Sequence, residues 1–375
     1  MRPTPAAALG HAALDATVWD GAFAGDYPFV RHRFLAALET SGSVGSDSGW
    51  EPWPLLETSG AQPLAAPAYL KHHSYGEFVF DFSWAQASAQ LGRPYYPKLV
   101  VAIPFVPSTG PRLGAADDDQ AARLVAHLQA RVARERLGSA HALFLDERDD
   151  AVLGRAGWLA REDLQFRWFR RGARDWEDWL ARLSSERRKK IRRERRRVSE
   201  AGIRFEVRRG DELDEAAWAE VYALYAHTYA QRGQEPYLTP AFWLHYGRAA
   251  GTPVRLILGL EGRRRVCVAL TVQAGRVLYG RHWGAAEHYH SLHFECCYYQ
   301  GIELCLREGL DEFDAGTQGE HKLWRGFDPV RTRSRHWLAP GPLREAVADY
   351  LQRERAAIAQ RHAALQTHTP WRQAP

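Results

Sequence analysis

Lysine is scarce in this 375-residue chain. Only Lys71, Lys98, Lys189, Lys190 and Lys322 occur, and the rest of its 50 basic residues are arginine. A lysine in an unusual setting is therefore conspicuous, because an ammonium is a compact point charge where a guanidinium is a planar fork. Long apolar runs are missing as well. No stretch approaches the ~20 apolar residues of a membrane span, which speaks against a helical membrane protein. Residues 1–14 are Ala-rich without the charged-then-apolar layout of a signal peptide. Cysteine is limited to Cys267, Cys296, Cys297 and Cys305, without the paired spacing of a zinc knuckle, and adjacent cysteines rarely bridge. A reducing, cytoplasmic setting is expected.

What is present fits a globular protein with two domains. Hydrophobic residues make up 45% and charged residues 25% of the chain, and its length exceeds one ordinary core. Residues 28–41 read as a helix, 53–69 as a hairpin, and 99–105 as a strand entering a Pro/Gly turn. Residues 121–137 form an amphipathic helix on the spacing of Leu124, Val125, Leu128 and Val132. A strand at 142–145 comes next. The order then returns: a hairpin across 256–272, a strand at 277–284 entering a glycine turn, a helix over 292–308, and a strand at 310–314. An internal duplication of an α/β unit accounts for this repeat. It predicts an N-terminal unit over 21–172 and a C-terminal unit over 175–365, with a terminal helix at 346–365.

Two segments carry the functional signal. Residues 314–327 pack Gly316, Gly319 and Gly326 with Asp314, Glu320, His321 and Lys322 into a turn, where bare backbone can approach a ligand. The predicted helix 184–201 is the other: nine of the twelve residues from Glu186 to Arg197 are Lys or Arg. So dense a run calls for an anionic partner, an acidic membrane surface among them. His288, His290, His293 and Glu295 straddle a loop-to-helix boundary without the helical i, i+4 His pair of a zinc site. No bound metal or cofactor is expected, and these side chains read as lining of a substrate groove. Cys296 and Cys297, on an apolar helix face, read as core.

These residues resemble a known family. The run from Leu183 to Val198 with Ala201-Gly202 resembles the helix midway through FemAB-like acyltransferases. Asp314, Gly316, Lys322 and Gly326-Phe327 resemble their C-terminal motif. Tyr69-Leu-Lys-His-His-Ser-Tyr-Gly-Glu77, Tyr95-Tyr-Pro-Lys98, Tyr279-Gly-Arg-His-Trp283, His293-Phe-Glu295 and Gln318-Gly-Glu-His-Lys322 extend the likeness to FemAB-like predicted N-acyltransferases labelled peptidoglycan biosynthesis/recognition. The resemblance runs from about Tyr27 to Arg361. It implies α/β architecture as tandem GNAT-like (acyl-CoA N-acyltransferase) domains, mixed sheets flanked by helices. It also implies an enzyme that moves an acyl or aminoacyl group from an activated donor to an amine in cell-envelope metabolism. The donor would be acyl-CoA, an acyl carrier protein thioester or aminoacyl-tRNA. The competing class is a non-enzymatic binder of nucleic acid or cell-wall fragments through the basic helix.

Acyl transfer to an amine needs a proton acceptor, a group that offsets oxyanion charge, and a positioned donor. Glu295 is the candidate base, with Glu320 and His321 as alternatives, and Lys322 or Arg281 would face the oxyanion. Lys71, Tyr75, Glu77, Asp81, Trp84, His293, Tyr298 and Gln318 are the candidate substrate-binding residues. Arg188, Arg192, Arg195 and Arg196 are the candidate donor-binding cations.

Overall fold

A computed structural model describes residues 10–317, 319–368 and 370–372. The chain divides into two compact units. The first comprises residues 1–163 and 331–360, and the second comprises 164–330 and 361–375.

The first unit contains β1 (Trp50–Pro52), β2 (Leu55–Glu57), β3 (Leu64–Ala66), β4 (Ala68–Lys71), β5 (Lys98–Val101) and β6 (Ser139–Leu143). β1 pairs antiparallel with β4, and β4 antiparallel with β5, whereas β5 and β6 run parallel. Parallel neighbours need a crossover, and the helix Asp118–Arg134 supplies it. Asp117 caps that helix by accepting from the Gln120 amide at 2.8 Å, and Asp118 and Asp119 complement its positive end. Its inward residues Ala121, Leu124, Val125, Leu128 and Val132 bury against strand residues such as Leu99, Val101, Ala140 and Ala142.

The second unit holds the later part of β7 (Leu159–Phe169), then β8 (Ile203–Arg209), β9 (Val254–Glu261), β10 (Arg264–Ala274), β11 (Val277–Ala285) and β12 (Glu312–Asp314). β8, β9, β10 and β11 form an antiparallel run, and β11 pairs parallel with β12. The crossover is the helical stretch 292–308. Gly301 in that stretch has no room for a side chain, since a Cβ there would meet the Phe313 ring at 2.4 Å. The missing atom lets the helix sit directly on β12.

Each unit is thus a mixed sheet flanked by helices: an antiparallel pair, a parallel neighbour reached through a helix, and a fourth strand antiparallel to that neighbour. In the second unit the fourth strand is β7, whose Arg167 to Phe169 pair with β12. In the first it is β13 (Asp328–Leu338), whose Ser334 to Leu338 pair with β6. Each unit takes its fourth strand from the other half of the sequence. A single cut between Gly172 and Asp175 differs from this division, because contiguous patterning cannot register a strand donated from a distant part of the chain. The terminal helix Pro342–Thr367 is likewise divided, its residues through Gln360 belonging to the first unit.

Candidate functional site

The glycine turn of the second unit lies where β11, β12 and the 292–308 helix converge. β11 pairs regularly with β10 until Leu270 faces His282 and Thr271 faces Gly280, so Arg281 is the extra residue of a bulge. Bulges re-aim a side chain, and the Arg281 guanidinium reaches Asp314 Oδ2 at 2.7 Å. Beyond Asp314 the chain turns through Gly316 and Gly319, both at positive φ, into a tight 3-10 turn, Glu320–Arg325. Lys322 is carried inward by that turn. It is buried, and its Nζ donates to the carbonyls of Ala315 at 2.9 Å and Gly316 at 2.6 Å. Burial is the main cause of a fall in its pKa to about 8, with Arg281 pushing the same way and Asp314 opposing.

Opposite chemistry comes from the helix. Its turn Glu295–Tyr299 is a π-turn, a widening that recurs at functional sites. Tyr298 hydroxyl lies 3.0 Å from His321 Nε2, and Lys322 Nζ lies 5.8 Å from the Tyr298 ring centre. Burial, reinforced by Arg325, lowers the His321 pKa to about 4, so this imidazole is neutral at pH 7. Of the predicted catalytic residues, Lys322, His321 and Arg281 therefore gather around the turn. Glu320 faces outward, paired with Arg361 at 2.7 Å. Gln318 lies outside the described residues.

Glu295 is held differently from the free base expected of it. Arg195 Nε donates to both of its oxygens at 3.2 Å, and Gln300 Nε2 donates to Oε1 at 2.7 Å. Arg195 also holds Glu303 through two bonds, at 3.0 and 2.9 Å. Burial raises the Glu295 pKa against the pull of Arg195. The residue is a buried anchor between the basic helix and the site helix. Beside it, Glu194 accepts from Arg325 Nη2 at 2.8 Å and from the Tyr299 hydroxyl, and the Arg325 guanidinium lies over the Phe294 ring at 3.5 Å. Glu194 and Arg325 do not stand out in the sequence, where each sits inside a charge-rich segment.

The two adjacent cysteines, both expected in the core, part company. Cys296 is core, fully buried with its thiol on the Ile257 carbonyl at 3.5 Å. Cys297 is half-buried and packs against the core residues around it. The His293 ring stands edge-on to Trp283 at 5.2 Å and to Tyr298 at 5.3 Å.

Residues 11–373 match the FemAB-like family, described as peptidoglycan biosynthesis/recognition. The chain belongs to the FemAB-like family. None of the curated proteins matches it. Among solved structures it is similar to L-PGS from Bacillus licheniformis, at 11% identity and a TM-score of 0.51 over 85% of this chain and 95% of that one. It is similar to FemX at 10% identity and a TM-score of 0.50, over 85% and 94% of the two chains. At such identity these likenesses concern the fold.

In this FemAB-like chain the remaining predicted site residues fall into two groups. Lys71, Glu77, Asp81 and Trp84 lie in the first unit, buried around Lys98. Lys98 Nζ donates to Asp81 at 2.6 Å, Ser74 at 2.8 Å and Glu77 at 2.9 Å. Asp81 also accepts from Tyr95 at 2.5 Å, and its pKa is held far below the ordinary range by Lys98 and His141 despite burial. Burial lifts Glu77 to about 7 and lowers Lys71 to about 7. Lys71 Nζ sits 4.1 Å from the Trp50 ring centre and donates to the Tyr75 carbonyl at 3.1 Å. Trp84 packs edge-on against His336 at 4.9 Å, and His336 and His141 share a 2.8 Å hydrogen bond. Tyr75 is exposed.

The basic helix, Ser185–Glu200, separates its cations by face. Ile191, Glu194 and Val198 are buried, and Arg195 reaches inward with them. Arg188 turns back onto the carbonyls of Ala181 and Leu183, and Arg192 pairs with Glu177 at 2.6 Å. Among the described residues Lys189, Arg193 and Arg196 are exposed without an ion-pair partner, at positions i, i+4 and i+7. Those three, rather than the set of four expected from the sequence, make the outward cationic stripe. Among the described residues no His, Cys, Asp and Glu side chains cluster as metal ligands, and no helix is long and apolar enough to cross a membrane.

Proposed function

We propose that the chain is an N-acyltransferase of cell-envelope metabolism whose reaction centre is the glycine turn of the second unit. It would move an acyl or aminoacyl group from acyl-CoA, an acyl carrier protein thioester or aminoacyl-tRNA to an amine on a peptidoglycan precursor. The observation that carries this reading is Lys322. Burying a lysine costs stability unless its ammonium is paired or hydrogen-bonded, and this one is held by two backbone carbonyls of a turn whose glycines leave the backbone bare. Two of its three N–H bonds are committed, and the third can donate to an oxyanion developing on the acyl carbonyl. The imidazoles of His293 and His321 are the available proton acceptors for the attacking amine. Glu295 is not, since Arg195 and Gln300 occupy its oxygens. The unpartnered stripe of Lys189, Arg193 and Arg196 suits the phosphates carried by each of these donors.

The test is Lys322→Met against Lys322→Arg. Each is assayed for transfer from radiolabelled acetyl-CoA, and from a pool of radiolabelled aminoacyl-tRNA, to peptidoglycan precursors bearing a free amine. Loss of one oxyanion donor costs on the order of a hundredfold or more in rate. Near-normal transfer by the folded Met variant would remove Lys322 from the chemistry.

A further inference from the structure

In the first unit, residues 74–82 form a loop that is built inside out. Its polar side chains point inward: Ser74, Glu77 and Asp81 are buried, and all three converge on Lys98 Nζ. Its aromatic side chains point outward, with Tyr75 63%, Phe80 53% and Phe82 43% exposed. The outward rings touch one another. Tyr75 and Phe82 lie 5.3 Å apart between ring centres, and Phe80 stacks on Phe82 at 5.8 Å. The backbone beneath them is tied down as well. The Tyr75 carbonyl accepts from Lys71 Nζ at 3.1 Å, and the Phe80 carbonyl accepts from Arg161 Nη1 at 2.8 Å.

Water favours the opposite arrangement, with charges outside and rings inside. Here a buried ammonium holds both ends of the loop and its middle, so the three rings are displayed on a fixed backbone. Fixing the backbone in advance lowers the ordering cost of meeting an apolar partner. With ~200 Å² for each aromatic side chain, these exposures leave ~300 Å² of ring surface in water. That is well below the ~800 Å² that each protein contributes to a standard interface, and it is the size of a functional patch. A few inserted side chains suit a membrane better than a second protein.

The charge around the rings agrees with a lipid surface. From His72 to Arg93 the sequence has two carboxylates, Glu77 and Asp81, and both are turned inward onto Lys98. Glu354, behind Phe80, is held by Arg161 through two bonds at 2.9 Å. Phe82 begins the helix Phe82–Gln90, and Arg93 follows that helix, exposed and, among the described residues, without an ion-pair partner. An anionic headgroup layer therefore meets a cation and no exposed carboxylate along this segment.

We propose that Tyr75, Phe80 and Phe82 dip into the interfacial layer of a phospholipid membrane and dock the first unit on it. Aromatic side chains concentrate at that boundary, where a ring sits among the upper acyl carbons and a tyrosine hydroxyl reaches the headgroups. The contact is separate from the acyl-transfer chemistry and does not depend on it. It also differs from the cationic stripe of the basic helix, because burial of rings is not screened by salt.

The experiment is flotation of the full chain with vesicles of phosphatidylcholine alone and of phosphatidylcholine with phosphatidylglycerol. It is run in sodium chloride high enough to screen the basic helix. Wild type should float with both. Tyr75→Ser/Phe80→Ser/Phe82→Ser should lower the partition coefficient on the order of tenfold or more. Tyr75→Phe/Phe80→Leu/Phe82→Leu should keep it. Circular dichroism of both variants should match wild type, since the substituted side chains face water. A wild type that stays behind with both kinds of vesicle, or a Ser variant that floats as well as wild type, overturns the docking. A wild type that sediments as a dimer without lipid, beside a monomeric Ser variant, overturns it too and makes the face a contact between copies.

Discussion

Glu295 separates two roles that a loss of activity alone would confuse. A general base in its place gives up rate on substitution and keeps stability, whereas an anchor gives up stability. Its side chain is 4% exposed, that of Arg195 24%, and their closest contact is 3.1 Å. Removing one partner of a buried pair costs about 3–5 kcal/mol, because the other charge is left buried and unpaired. Arg195 is a quarter exposed and keeps Glu303, so solvent and the second carboxylate soften the loss. About 2 kcal/mol is the expected cost for Arg195→Met, and somewhat less for Glu295→Gln, which retains hydrogen-bonding groups. With a denaturant slope of about 2 kcal/mol/M, Arg195→Met should lower the urea midpoint by about 1 M. The double variant should cost less than the sum of the two, with a coupling of about 1 kcal/mol or more. Urea unfolding monitored by tryptophan fluorescence, together with turnover of each folded variant, measures both quantities. A Glu295→Gln protein with an unchanged midpoint and turnover reduced a hundredfold would refute the anchor and restore the base.

The charges around the two clusters set three other expectations. Lys322 is protonated below about pH 8 in the folded chain and below 10.5 when unfolded, so the unfolded state binds more protons between these values. Stability should therefore rise with pH across that window in wild type relative to Lys322→Met, while turnover should fall above about pH 8 as the ammonium is lost; thermal melts and a pH–rate profile check the pair. Reversing Lys189, Arg193 and Arg196 to Glu should leave the stability within about 0.5 kcal/mol of wild type and weaken binding of tRNA or anionic vesicles in a salt-dependent manner, and unchanged binding would make the stripe a solvated face. In the first unit, Lys98→Met strips the shared cation from Glu77 and Asp81, and about 3–5 kcal/mol of destabilisation is expected, read as a lower melting temperature at pH 7 that recovers in Glu77→Gln/Asp81→Asn/Lys98→Met.

The order of elements was largely legible because local physics determines it. The expected helix at 121–137 is found as Asp118–Arg134, since its apolar spacing and the acidic cap at Asp117 are encoded within one segment. The strand–helix–strand repeat was visible for the same reason. The fourth strand of each unit was not. Period-2 patterning states that a strand has a buried face and not which neighbour completes its hydrogen bonds, so nothing local assigns β7 or β13 to a unit. Only the pairing of Arg167 to Phe169 with Glu312 to Asp314, and of Ser334 to Leu338 with Ser139 to Leu143, reveals the exchange.

At the site, the sequence spoke through rarity and failed through register. Lys322 stood out as one of five lysines in a glycine turn, and the turn does bury it against its own carbonyls. Arg195 and Arg196 are adjacent in a run of like residues, so composition treats them alike. Helical geometry separates them by about 100°, which sends one to Glu295 and leaves the other in water. The same angle divides Cys296, on the Ile257 carbonyl, from the half-buried Cys297 inside the π-turn Glu295–Tyr299. A turn of that kind leaves no mark in apolar periodicity, which tolerates one residue more or less. Its residues Glu295 and Tyr298 meet Arg195 and His321, which joins that one helical stretch to the basic helix and to the glycine turn.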